Sequence, residues 1–187
     1  MNIKDAKSAI LFHAGMDAPE QQSCQVFVGM FRPYDKLDER PFSEIIYAML
    51  ILHPALSRTT KIDRLTAFSL WWICDAARRL ILSPQSPVQH NNRIDAVSLR
   101  RVEWWTDSIE VMALRTLQGL DRPVCLSRFV QYIIDMTPAE TSYYSYLQPF
   151  LQEAIDYDDS DIASEALRAS QILGFENTQS GCEPHVP

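Results

Sequence analysis

Hydrophobic side chains recur along most of this chain every three or four positions, which is the spacing of amphipathic α-helices. The longest such stretches end at Ser83 and near Gln118. Gly119 and Gly174 follow two of the periodic segments, at the position where glycine commonly terminates a helix. We predict helices over residues 3–13, 41–54, 60–83, 93–118, 126–136, 138–157 and 160–173.

These helices predict an all-α fold, a single-domain bundle of about six to eight helices. Residues 25–31 allow one short extended segment, since periodicity cannot separate a strand from a helical turn over so few positions. Neither an internal repeat nor a linker interrupts the chain. We therefore predict one helical domain over residues 1–174 and a disordered tail over 175–187.

Local residue choices predict where several helices begin or bend. Asn92 can cap the helix that starts at residue 93. Thr137, Pro138 and Glu140 form the pattern of a capping box, which predicts a helix from residue 138. Pro149 lies inside that helix and should kink or split it.

Two pairs of adjacent tryptophans raise a question about burial, because neighbouring residues on a helix point about 100° apart. Placed at 100° per residue, Trp72 and Trp105 fall among the apolar side chains of their helices, which assigns both to the core. Trp71 falls among charged residues on the helix 60–83. Trp104 falls at the border between the apolar and charged arcs of the helix 93–118. Either other helices or arginine stems cover these two side chains, or they are anchors in a binding surface.

Acidic residues are distributed unevenly over a chain with a net charge of −7. Residues 135–187 hold ten acidic side chains and one base, Arg168, whereas residues 1–134 hold a small basic excess. This acidity argues against nucleic acid and favours a basic protein surface as the partner. The alternative is an acidic face that only keeps the protein soluble.

Candidate partner-binding residues come from these acidic and aromatic positions. A carboxylate ridge of Glu103, Asp107 and Glu110 lies on one face of the helix 93–118. The remaining candidates are Trp71, Trp104, Tyr143, Tyr144, Asp156, Asp158, Asp159 and Asp161. Tyrosine and tryptophan suit interfaces because they combine a large apolar ring with a polar group.

The chain carries none of the common phosphate-loop, dinucleotide, zinc-protease or nucleophile-elbow motifs. Its four cysteines and four histidines lack metal-ligand spacing, so we predict no metal, no cofactor and no catalytic residue. Residues 156–167 share the early acidic positions of a calcium loop. Asp161 replaces its glycine and Leu167 its glutamate, which argues against calcium.

The sequence therefore predicts a cytoplasmic protein-binding protein, without a membrane span, that holds a basic partner. Small acidic helical proteins without catalytic motifs are common among bacterial immunity proteins, and this chain is similar to them in profile only. That similarity implies a toxin or effector encoded nearby as the partner. The alternatives are a helical enzyme or small-ligand binder with a pocket between helices, and an adaptor subunit that forms a homodimer.

Overall fold

A computed structural model describes residues 1–17, 25–32, 36–59, 61 and 63–175 of the protein. Its α-helices are α1 (Ile3–His13), α2 (Arg40–Leu56), α3 (Arg64–Ala77), α4 (Pro87–His90), α5 (Ala96–Leu117), α6 (Arg122–Met136), α7 (Gln148–Ile155) and α8 (Ser160–Ile172). A π-helical turn (Arg78–Leu82) continues α3, and a 3₁₀ helix (Thr141–Leu147) leads into α7. The predicted all-α bundle is confirmed.

The structure bears differently on the short extended segment and on the disordered tail allowed by the sequence. Residues 25–32 form consecutive turns, so the described part of the chain contains no extended strand there. The tail predicted to be disordered, 175–187, lies outside the described residues from position 176 onward.

Helix α5 lies at the centre of the bundle and packs against α2, α3 and α6. Helix α1 covers α2 and α3, while α8 covers α6 and α7. An aromatic cluster fills the space between α2, α5 and α6. Phe42 stacks on Trp105 with ring centroids 5.2 Å apart, and it meets Phe129 and Tyr132 edge-on. Trp105 is completely buried, as predicted.

Side-chain caps fix several helix starts at positions other than those predicted. Helix α5 begins at Ala96 rather than residue 93, because Asp95 and not Asn92 accepts a hydrogen bond from the Ser98 amide. The turn before it places Asn92 in the left-handed region, with φ of 50°. The glycines predicted to follow two helices do so with positive φ, 76° at Gly119 and 75° at Gly174.

The predicted capping box at Thr137 is wrong. Helix α6 runs to Met136, and Thr137 is its C-terminal cap with φ of 46°, outside the extended conformation of an N-cap. Glu140 instead caps the 3₁₀ helix by accepting from the Ser142 amide. Pro149 divides the segment as predicted, since the 3₁₀ helix gives way to α7 at Gln148.

Trp72 departs from its predicted place in the core. It is half-buried and packs against the edge of the hydrophobic cluster, whereas its neighbours Ile73 and Cys74 lie within it. The inward face of α3 is filled mostly by small side chains, including Ser69, Ala76 and Ala77. The arc that holds Trp72 therefore lies at the border of the buried face.

A buried carboxylate joins four segments at the beginning of α2. Glu39 is 5% exposed. Its Oε1 accepts hydrogen bonds from the Tyr132 hydroxyl and, at 2.8 Å, from the Tyr144 hydroxyl. Its Oε2 accepts from the Ala139 amide at 2.8 Å and lies 3.5 Å from Nη1 of Arg101. The carboxylate thus links α2 to α5, to α6 and to the segment that leads through the 3₁₀ helix.

Both tyrosine hydroxyls at Glu39 remain donors over the physiological range. Burial, reinforced by the negative charge of Glu39, raises the pKa of Tyr132 well above its usual range. Burial likewise raises the pKa of Tyr144, with further contributions from Tyr132 and Glu39. The two phenols therefore stay protonated and hold the carboxylate in place.

We expect Trp105→Ala to lower the free energy of unfolding by about 3–5 kcal/mol, because it opens a cavity in the aromatic cluster. Trp71→Ala should lower it by less than about 1 kcal/mol, because Trp71 lies at the surface. Urea denaturation of both variants measures the difference. Equal destabilisation would contradict this description of the core.

We expect Glu39→Gln to destabilise the protein by about 2–4 kcal/mol, because the amide weakens charge-assisted hydrogen bonds and sets its own N–H donors against the existing ones. Glu103→Gln is the matched control, since Glu103 is exposed. The control should change stability by less than about 0.5 kcal/mol. Thermal and urea unfolding of the two variants measure both effects. Similar losses of stability would show that Glu39 contributes no more to the stability of the fold than an exposed glutamate does.

Candidate functional site

Three large apolar side chains lie side by side on the outer surface of α3. Leu65, Phe68 and Trp71 follow one another at steps of three residues, so each neighbours the next along one oblique line that turns by about 120° around the helix. They are 49%, 48% and 54% exposed, and the rings of Phe68 and Trp71 are 5.6 Å apart. We call these three residues the α3 stripe.

The α3 stripe follows from the way the sequence builds this helix. Asp63 caps the first turn of α3 by accepting a hydrogen bond from the Leu65 amide. Leu65, the second residue of the helix, begins the stripe. The buried positions Thr66, Leu70 and Ile73 face the core. Single exposed apolar side chains are ordinary on protein surfaces, but a contiguous row that includes two aromatic rings is typical of an interaction surface.

Of the two tryptophans that the sequence did not assign to the core, Trp71 is the one that the structure leaves exposed. It also contacts Trp72, with ring centroids 6.4 Å apart. Trp72 supports the stripe from the side of the core, because it is half-buried and packs on the hydrophobic cluster. A ring held on such a base loses little conformational freedom when a partner covers it.

Trp104 is placed differently. The guanidinium of Arg128 lies over its ring, 3.9 Å from the centroid, and the side chain is half-buried against the core. This is the alternative in which an arginine covers the tryptophan. Trp104 is thus already engaged within the protein.

The predicted carboxylate ridge lies on α5 beside α3, and two of its three members form ion pairs with neighbouring helices. Asp107 pairs with Arg128 at 2.9 Å, and Glu110 pairs with Arg78 just beyond α3. Glu103 is exposed and has no ion-pair partner among the residues that the structure describes. The ridge is therefore largely neutralised by the protein's own arginines.

Contacts between α3 and α5 bring the stripe and the ridge onto adjoining helices. Besides the Arg78–Glu110 pair, Sγ of Cys74 lies 3.9 Å from the carbonyl oxygen of Thr106. Burial raises the pKa of Cys74 to about 12, and the charge of Glu110 adds to this effect. Because the thiol stays protonated, Cys74 is a packing residue and not a nucleophile.

The two predicted tyrosines have different outcomes. Tyr144 is completely buried and donates its hydroxyl to Glu39, so its prediction as a partner contact is wrong. Tyr144 is buried because its hydroxyl donates to the carboxylate of Glu39, which lies more than one hundred residues earlier in the chain. Tyr143 is half-buried beneath the guanidinium of Arg40, 5.6 Å from its ring centroid.

The predicted acidic residues Asp156, Asp158, Asp159 and Asp161 are all exposed, the first three at the turn between α7 and α8 and Asp161 in the first turn of α8. Asp159 has a structural role, since it caps α8 by accepting from the amides of Asp161 and Ile162. Tyr157, within this turn, donates to Asp121, just before α6. The turn therefore lies near the end of the bundle where α5 finishes.

The predicted binding residues thus lie in three separate places: on the adjoining helices α3 and α5, at Tyr143, and at the acidic turn. Tyr143 lies near Arg40 and Glu39, at the end of the bundle where Arg101 contacts Glu39. From Arg101 to Leu117, the last residue of α5, the helix rises roughly 24 Å. One compact surface cannot include both Tyr143 and the acidic turn.

Sequence reasoning missed the residue with the most demanding environment, Glu39. Its donors lie 62 to 105 residues further along the chain, so no local pattern marks it. In the described parts of the chain, no group of three or more histidine, cysteine or acidic side chains is placed to hold a metal ion. Within the same residues, no helix has both the length and the apolar character needed to cross a membrane.

Comparison with protein-family models, with curated proteins and with solved structures gives no significant match to this chain.

Proposed function

We propose that this protein binds another protein and that the α3 stripe anchors the complex. The observation that supports this proposal is the row formed by Leu65, Phe68 and Trp71, each about half exposed on one line of α3. Exposed tryptophan and phenylalanine side chains give up water-accessible apolar area when a partner covers them. That transfer is the main source of affinity in most interfaces.

The surroundings of the stripe fit an interface with a polar rim. Arg64 is exposed at one end, and Arg78, which pairs with Glu110, lies about two helical turns beyond Trp71. Charged groups around an apolar centre mainly set the rate and specificity of association, while the buried anchors supply affinity.

A basic protein is the partner class that the charge of this chain favours. The net charge of this chain is −7, and four aspartates at the turn between α7 and α8 and at the start of α8 are exposed. Such a field attracts a basic partner over distances of about a Debye length, even where the acids lie outside the contact. The turn then serves to steer the partner, and the stripe serves to hold it.

Within that class, we propose a basic toxin or effector encoded beside the gene of this protein. The support is the profile that this chain shares with immunity proteins, namely an acidic α-helical bundle of modest size. A second copy of this chain is the other occupant that the apolar stripe could accept, and the experiment below separates the two.

We expect Trp71→Ala to weaken binding of the partner by more than about 30-fold, because it removes the largest anchor at the centre of the interface. Phe68→Ala should weaken it by about tenfold or more. The measurement is titration calorimetry of the purified protein with the product of the neighbouring gene. Leu117→Ala is the matched control, since Leu117 is 44% exposed at the far end of α5, and it should leave affinity unchanged.

Replacing Asp158, Asp159 and Asp161 by lysine should slow association and reduce its dependence on salt, while dissociation changes little. Asp158→Lys alone is the milder variant, since Asp159 also caps α8.

Undiminished binding by Trp71→Ala would exclude the stripe as the anchor. Self-association that Trp71→Ala abolishes, without any complex with the neighbouring product, would replace the proposal by a homodimer.

A further inference from the structure

A separate cavity of about 300 Å³ opens between the turns at residues 31–32, the π-helical turn and α4. Its inner wall is apolar and is formed by Phe31, Leu80, Pro87 and Val88. Phe31 and Val88 are 3% and 7% exposed, so both belong to the fixed core of the protein. This volume is at the lower end of those that bind small organic ligands.

The mouth of the cavity is positively charged. Arg32 and Arg93 line it together with Asn91, and none of the lining residues in the described part of the chain carries a carboxylate. Both arginines are exposed, and neither forms an ion pair with another residue in the described ranges. Two arginines at one opening stand out on a chain whose net charge is −7.

Side-chain hydrogen bonds hold one wall of the cavity, where α4 meets the π-helical turn. The side-chain amide of Gln89 donates to the carbonyl oxygens of Ile81 and Leu82, at 2.8 Å and 2.9 Å, which ties α4 to the π-helical turn. Isolated π-helical turns are rare and occur frequently at functional sites. The hydrogen bonds that hold α4 to this turn make one wall of the cavity rigid.

The position of Arg93 depends on an uncommon backbone conformation. Asn92 has φ of 50°, in the left-handed region, where asparagine is among the few residues that are tolerated. The amide of Arg93 then donates back to the carbonyl oxygen of Val88 at 2.9 Å. This turn brings the arginine from beyond α4 back to the mouth of the cavity.

We propose that this cavity binds a small amphipathic carboxylate, with its apolar chain or ring against Phe31, Leu80 and Val88 and its carboxylate at Arg93 and Arg32. A guanidinium presents paired N–H donors that match the two oxygens of a carboxylate. The apolar inner wall offers no partner for a second polar group, so the ligand is a monocarboxylate with an apolar body. This site is independent of the α3 stripe.

Octanoate is a suitable probe, because its roughly ten non-hydrogen atoms suit a cavity at the lower end of the ligand-binding range. We expect a Kd on the order of 0.1–1 mM. Titration followed by methyl NMR should shift the resonances of Leu80 and Val88 first. Octan-1-ol should bind about tenfold more weakly, and octylammonium should not compete, because each lacks the anionic head group.

Arg93→Gln should weaken octanoate binding by about tenfold, and Arg32→Gln should weaken it in the same direction. Arg100→Gln is the matched control, since Arg100 is exposed on α5 outside the cavity, and it should leave the affinity unchanged. Three results would each overturn the proposal: no saturable binding, equal binding of octylammonium, or methyl shifts confined to other parts of the protein.

Discussion

The carboxylate of Glu39 is the group around which the packing of this bundle is arranged. A charge that is 5% exposed must regain in hydrogen bonds what it loses in hydration. Glu39 does so with two tyrosine hydroxyls, one backbone amide and the guanidinium of Arg101. Because these donors come from α5, α6 and the segment that leads through the 3₁₀ helix, satisfying one side chain positions three parts of the chain against α2. The aromatic cluster of Phe42 and Trp105 packs in the same region of the bundle.

Contacts within the bundle, including those at Glu39, determine which aromatic side chains remain for a partner. Tyr144 is committed to the carboxylate, and Trp104 is committed to Arg128. Helix α3 lies at the side of α5, and its core face is satisfied by small and aliphatic residues. Its outer line of Leu65, Phe68 and Trp71 therefore carries the exposed aromatic surface that we assign to binding.

Local physics explains what could be predicted from the sequence. Hydrophobic periodicity identified the long helices, and Pro149 and Gly119 marked a division and an end that the structure confirms. The 100° separation of neighbouring residues kept Trp71 out of the core arc but left open whether other groups cover it, and the structure shows it exposed. The capping pattern at Thr137 failed because α6 continues to Met136, and a residue that ends one helix with φ of 46° cannot cap the next. Glu39 could not be found, since its donors are distant in sequence and its burial depends on tertiary contacts alone.

The central claim is that the α3 stripe is covered by a basic protein partner. Hydroxyl-radical footprinting of the complex with the product of the neighbouring gene, compared with the free protein, tests it most directly. We predict that oxidation of Leu65, Phe68 and Trp71 falls at least about fivefold in the complex, as expected for side chains at the desolvated centre of an interface. Exposed apolar residues elsewhere, Ile3 and Leu117, should react as before. Unchanged oxidation of Phe68 and Trp71 in a stable complex would contradict the claim.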